Sequence, residues 1–123
     1  MTIVGKDLLE FESRPSRLTA DPFRDSTIDS TVRQVVLEPG PRTPHLHPHT
    51  EEVYFVVSGR GRIWLDGVQH PVEEGSWVRI PPRTPHATLA YEEMTLVAFF
   101  PHPSLDDNIE ELDQLLEIEE ETP

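Results

Sequence analysis

From Thr31 to Phe100, turn signals interrupt the chain at short intervals, and what lies between them is β-type sequence. "TVRQVVLEPG" is β-branched and stops at Pro39-Gly40. "EEVYFVVSG" runs into "SGRG", "RIWL" lies between "SGRG" and "LDGV", and "VQHPV" meets "WVRI" through "EEG". "HATLAY" and "MTLVAFF" follow the stiff turn "PPRTP". Strands this short, at this spacing, predict an all-β barrel or sandwich rather than a parallel α/β fold. No internal repeat is evident.

The flanks read differently. Residues 1–12 read as a short strand or irregular edge, and "SRPSRLTADPFRDSTIDS" as a turn-rich arm over the barrel surface. After Pro103, "SLDDNIEELDQLLEIEEE" sets Ser104 before Asp107 in the pattern of a capping box. Leu105, Ile109, Leu112 and Leu116 then recur at helical spacing, which predicts an amphipathic helix over 105–118. The expected organisation is an N-terminal strand and arm (1–30), a barrel (31–101) and an acidic C-terminal helix and tail (102–123). That helix is expected to pack outside the barrel, so that the chemistry does not need it.

A chain of 123 residues is one domain long and can bury a modest core. It has no cysteine, which excludes a disulfide framework, a thiolate metal site and cysteine catalysis, and fits a cytoplasmic setting. No apolar run reaches the roughly 18–20 residues of a membrane span, and "MTIVGKDLLEFESR" has no apolar leader core. The net charge is −13, which argues against nucleic acid and anionic membranes as partners. That charge is unevenly placed. Residues 33–83 balance six Arg against six carboxylates, whereas residues 84–123 hold eleven carboxylates and no Lys or Arg. The neutral middle leaves room for an anionic small molecule.

That middle also opens on "PHLHPHTEE", where His45, His47 and His49 alternate and so share one face of an extended strand. Imidazole is the commonest protein ligand for a borderline divalent metal, and a carboxylate is its usual complement. Two histidines at i and i+2 can occupy neighbouring coordination positions, and a nearby glutamate can close the sphere. His86, at the head of a later strand, could be brought to the same place.

Together these residues resemble the two motifs of a small single-domain cupin, a double-stranded β-helix related to the jelly roll. Gly40, His45, His47, Glu52 and Gly59 match the first motif, with a lead-in one residue short. Gly75, Pro81 and His86 match the second, in which Arg83 stands for a glycine and Ala90 for an asparagine. The resemblance covers roughly residues 30–101. It implies a cupin barrel in which His45, His47, Glu52 and His86 hold one divalent transition metal (Fe, Mn, Ni, Zn or Cu). It further implies a metal-dependent enzyme, of oxygenase or isomerase/lyase type, acting on a small organic acid or related metabolite. The alternative is a non-catalytic sensor or binding module whose metal is structural or anchors a ligand. Small cupins commonly pair, so a homodimer is expected, with Val53, Phe55 and Val57 facing outward.

Several further residues carry expectations of their own. His49 is a fifth ligand, a partner of a ligand, or a solvated residue at the rim, and Glu51 faces away. Arg83, if its turn needs a positive φ, costs on the order of 1 kcal/mol. Tyr54, Val56, Thr88 and Ala90 face inward, and Trp64 and Trp77 are candidates for the core, the favoured place, or for the pocket wall. Arg33, Arg60, Arg62 and Arg79 are candidates to bind a carboxylate or phosphate. Tyr54, His49 and Glu51 are the candidate general bases.

Overall fold

The structure, a computed structural model, describes residues 2–14, 17–24 and 29–121. After a 3-10 turn at Lys6–Leu8, the described residues form eleven strands: β1 Glu12–Arg14, β2 Arg17–Ala20, β3 Thr31–Leu37, β4 His45–Leu46, β5 Glu52–Ser58, β6 Arg60–Leu65, β7 Val68–Glu73, β8 Trp77–Ile80, β9 His86–Ala90, β10 Met94–Phe100 and β11 Glu110–Glu111. They form two antiparallel sheets, ordered β1-β2-β3-β10-β5-β8 and β11-β4-β9-β6-β7. Among the described residues, no helix is long and apolar enough to cross a membrane.

Period-two burial builds the core between the sheets. The inward residues of β3, β5 and β10 (Val35, Leu37, Tyr54, Val56, Leu96, Ala98, Phe100) meet Ile63, Val72 and Ala90 of the other sheet. Tight contacts set the hairpins. Gly59, between β5 and β6, has φ +85°, and a Cβ there would lie 2.3 Å from the Glu93 carbonyl oxygen, so only glycine fits.

Two expectations need correction. First, the sheets do not close into a barrel. The chain crosses from β7 to β8 through the Glu74-Gly75 turn, and Pro71 removes a backbone donor from β7, the edge of its sheet. On the opposite side, β2 and β11 approach through an ion pair, Arg17 to Glu111 at 3.7 Å, rather than through backbone pairing.

Second, the predicted C-terminal helix is absent. Residues 105–108 make a turn, with the Asn108 N–H donating to the Leu105 carbonyl, and the chain then runs extended. Glu110 and Glu111 pair with Leu46 and His45 of β4, and Arg42 and Leu116 exchange two backbone bonds of 3.1 and 2.8 Å. A helix here would stack like charges, for example Asp107 on Glu110 and Glu111, and Asp113 on Glu117. The extended path instead gives β4 a partner for its open edge and brings Glu111, Glu119 and Glu121 to Arg17, Arg62 and Arg60.

The leucine spacing is therefore used without a helix. Leu105 joins the main core, while Leu116 packs with Ala87, Leu89, Trp64 and Ile118 on the outer face of the second sheet. This explains why all five residues of β9 are buried: the tail covers the face that solvent would otherwise reach. The arm is corrected in a similar way. Its described part contributes β1 and β2 to the first sheet, and β2 walls the interior cavity with Arg17 and Thr19.

The extended tail predicts unequal leucines. Leu116→Ala, at a site 6% exposed, is expected to cost about 2–4 kcal/mol, and Leu115→Ala, at 64% exposed, less than about 0.5 kcal/mol. Urea unfolding of both variants checks this; equal losses would restore the helix.

Candidate metal centre

The centre is assembled from both sheets. His45 on β4 and His86 on β9 are direct cross-strand partners, which brings their rings to 4.4 Å between centroids. His47, one residue past β4, lies 5.1 Å from the His45 ring and 5.4 Å from the His86 ring. Glu52 opens β5 on the opposing sheet and approaches His86 Nε2 at 3.0 Å and His47 Nε2 at 3.4 Å through Oε1. One candidate ligand atom from each of the four lies within 4.8 Å of the others. His47, Glu52 and His86 are buried, and His45 is half-buried.

The outer nitrogens of two rings are committed to backbone. His47 Nδ1–H donates to the Asn108 carbonyl and His86 Nδ1–H to the Thr84 carbonyl, each at 2.8 Å. A carbonyl only accepts, so a neutral ring held this way turns a bare Nε2 lone pair inward. Those lone pairs face the Glu52 carboxylate, acceptor against acceptor. His47 Nε2 and His45 Nδ1 are buried with no hydrogen-bond partner. A cation resolves this arrangement, and the donor set of three imidazoles and one carboxylate suits a divalent transition metal.

The charge states agree with that fit. Burial, then His86 and Arg17, push His45 well below the usual histidine range, which favours the neutral form that binds metals. Burial by itself would raise Glu52, but the facing rings of His47 and His86, when a proton on Nε2 takes the place of a metal, outweigh it and hold the carboxyl well below its ordinary range, so Glu52 is an anion in either case.

The loop before His86 meets the segment that carries His47, next to β4 in the same sheet. Arg83 has φ +62°, so the turn keeps the left-handed backbone expected where the motif carries glycine, and its N–H donates to the His47 carbonyl at 2.9 Å. No peptide bond among the described residues is cis.

A cavity of about 60 Å³ adjoins the cluster. Its walls include Tyr54, whose hydroxyl lies 2.9 Å from that of Thr88, and the apolar side chains of Val35, Leu37, Leu96 and Phe100. Burial raises the Tyr54 phenol well above its usual value, so it stays protonated. Val56 and Ala90 are buried as expected.

Three arginines also line the cavity: Arg17, Arg33 and Arg42. Arg33 was among the expected anion binders and is paired to Asp21 at 2.7 Å. The other three expected arginines lie elsewhere, Arg60 and Arg62 paired to tail carboxylates and Arg79 to Glu51. Arg17 and Arg42 carry no motif signal, and only the strand pairing reveals them. Burial, with repulsion from Arg17, pushes Arg42 down to about 10, so it remains a cation at neutral pH.

The remaining expectations divide. His49 is exposed, and its backbone N–H donates to Asn108 Oδ1 at 2.8 Å. Trp64 packs half-buried, but Trp77 is 72% exposed and stacks on Phe55 rather than in the core, because β8 turns it to the outer face. Asn108, itself buried, supports both His47 and His49. Thus the tail reaches the site, against the expectation that the site is independent of it.

A family model for the cupin domain matches residues 33–100, more than half of the chain. The protein is a cupin. It is 33% identical over 60 residues to MJ1618, an uncharacterized protein of Methanocaldococcus jannaschii, an alignment covering 48% of each. The chain spans about half the length of the curated relatives it matches, or less. Among solved structures, KdgF of Halomonas sp. superposes with TM-score 0.73 at 22% identity, covering 86% of this cupin and 98% of KdgF. Pac13 of Streptomyces, a nucleoside dehydratase, superposes with TM-score 0.71 at 18% identity, covering 91% of each chain. At these identities the likeness is one of fold.

The Tyr54–Thr88 pair predicts a measurable coupling on the cavity wall. Tyr54→Phe is expected to cost about 1–2 kcal/mol by stranding the Thr88 hydroxyl, and the double variant with Thr88→Val less than the sum of the singles. Additive losses in chemical denaturation would show that the two hydroxyls do not depend on each other.

Proposed function

We propose that this cupin holds one divalent transition metal on His45, His47, Glu52 and His86 and is a metal-dependent enzyme for a small organic acid or related metabolite. The observation that carries the reading is the convergence of the inward Nε2 atoms of His47 and His86 on the Glu52 carboxylate, with His45 beside them, so that one ligand atom from each of the four lies within 4.8 Å of the others. When bound, such a metal supplies Lewis-acid polarisation of a carbonyl or enediol, or redox chemistry if it is iron. The chain's own residues do the rest. The Asn108 and Thr84 carbonyls hold two rings in one tautomer and orientation. Tyr54 stays protonated as a hydrogen-bonding group beside Thr88. The arginines favour a substrate that carries negative charge, whereas the acidic balance of the whole chain argues against nucleic acid and anionic membranes.

A second reading, a binding module whose metal anchors a ligand, is favoured by one observation. None of the three candidate bases is placed to take a proton in the cavity: Glu51 is paired with Arg79, His49 is exposed, and Tyr54 is held protonated.

Purified protein is expected to carry close to one equivalent of metal, and His47→Ala or His86→Ala to remove most of it. Elemental analysis finding both variants as fully loaded as the parent would sink the assignment of ligands.

We also propose a homodimer through the outer face of the six-stranded sheet, where Trp77, Phe99, Val57 and Val97 are exposed and Phe55 stacks on Trp77 at 4.6 Å. Sedimentation at micromolar concentration is expected to give twice the chain mass, and Trp77→Glu to halve it. A single-chain mass for the parent counts against pairing.

A further inference from the structure

Among the described residues, Arg42 is a cation without an acidic partner. It is 6% exposed and borders the cavity. Its Nη2 donates to the Glu38 carbonyl at 3.0 Å, its Nε is buried with no hydrogen-bond partner, and among the described residues no carboxylate pairs with it. The other two arginines on the wall do have such partners, Arg33 with Asp21 at 2.7 Å and Arg17 with Glu111 at 3.7 Å. A buried guanidinium without a counter-ion is strongly disfavoured by desolvation, and a neutral carbonyl offsets that only in part. Its position is nonetheless well fixed, because its backbone exchanges two hydrogen bonds with Leu116 of the tail. A second cation, Arg17, is close enough to repel Arg42, and Glu111 at 3.7 Å offsets the Arg17 charge without pairing with Arg42.

We infer that Arg42, with Arg17 beside it, forms an oxyanion subsite on the cavity wall, which takes a carboxylate or phosphate group of a small ligand. The planar guanidinium suits either group through two parallel N–H···O bonds. The subsite deepens the organic-acid reading, since it would hold the charged end of a molecule whose other end faces the histidines. It stands on Arg42 alone, however, and does not require the metal.

Isothermal titration of the full chain with malonate, and separately with inorganic phosphate, tests this, on metal-loaded protein and again after chelation. The parent is expected to bind at least one of the two anions in both states, and the tighter one identifies the group preferred. Arg42→Gln is expected to weaken that binding about tenfold or more at unchanged metal content. Without anion, its melting temperature is expected to be no lower than the parent's, because the variant sheds an uncompensated buried charge. A parent that binds neither anion overturns the subsite, as does an Arg42→Gln variant that binds as tightly as the parent. Binding seen only with metal, and equal in the variant, removes the subsite and leaves the metal reading intact. A parent that holds no metal but loses anion affinity on substitution does the reverse. If Arg42→Gln does not fold, Arg42→Lys decides: weaker binding at unchanged metal content supports the subsite, and parental affinity overturns it.

Discussion

Two backbone carbonyls, those of Thr84 and Asn108, determine the chemistry at the centre of this cupin. Each accepts from the outer nitrogen of a buried histidine, and so each turns a lone pair inward. Had either ring been free to flip, it could have presented an N–H to Glu52, and the cluster would be an ordinary hydrogen-bonded knot. Fixed as they are, neutral rings and the carboxylate oppose one another unless a metal ion, or a second proton on Nε2, joins them. The fold supplies the two carbonyls from different places, one from the proline-rich loop before β9 and one from the tail.

This dual origin explains what was legible in the sequence. His45, His47, Glu52 and His86 could be read as one cluster because alternation on a strand and the pairing of two motifs are properties of short segments. The inward positions Tyr54, Val56, Thr88 and Ala90 follow from the same period of two. The tail could not be read this way. Leu105, Ile109, Leu112 and Leu116 do fit a helix, and what defeats it is tertiary: the unpaired edge of β4, and arginines placed to meet the carboxylates. Trp77 illustrates the same limit, since alternation says that neighbours face opposite sides but not which side is the core. Arg17 and Arg42 flank the site through strand pairings that no local pattern encodes.

The tail thus has three connected roles. It extends the second sheet at β4, it covers the outer face of β9 with Leu116, and it supplies the Asn108 carbonyl to His47. Part of its acidity, which in isolation suggests a solvated helix, is directed toward the rest of the chain: Glu111, Glu119 and Glu121 meet Arg17, Arg62 and Arg60. The imbalance between a neutral middle and an acidic end is a division of labour between two segments that meet.

The bond between Asn108 and His47 spans 61 residues of chain, and this has a consequence for the order of events during synthesis. Translation delivers the three histidines and Glu52 before Asn108, so a nascent chain can present every candidate ligand while His47 still lacks the carbonyl that orients it. Contacts of such long sequence separation close late and slowly. The centre would therefore mature as a last step, when the tail docks along β4, and a metal captured earlier would meet a looser, less selective set of donors than the finished protein offers.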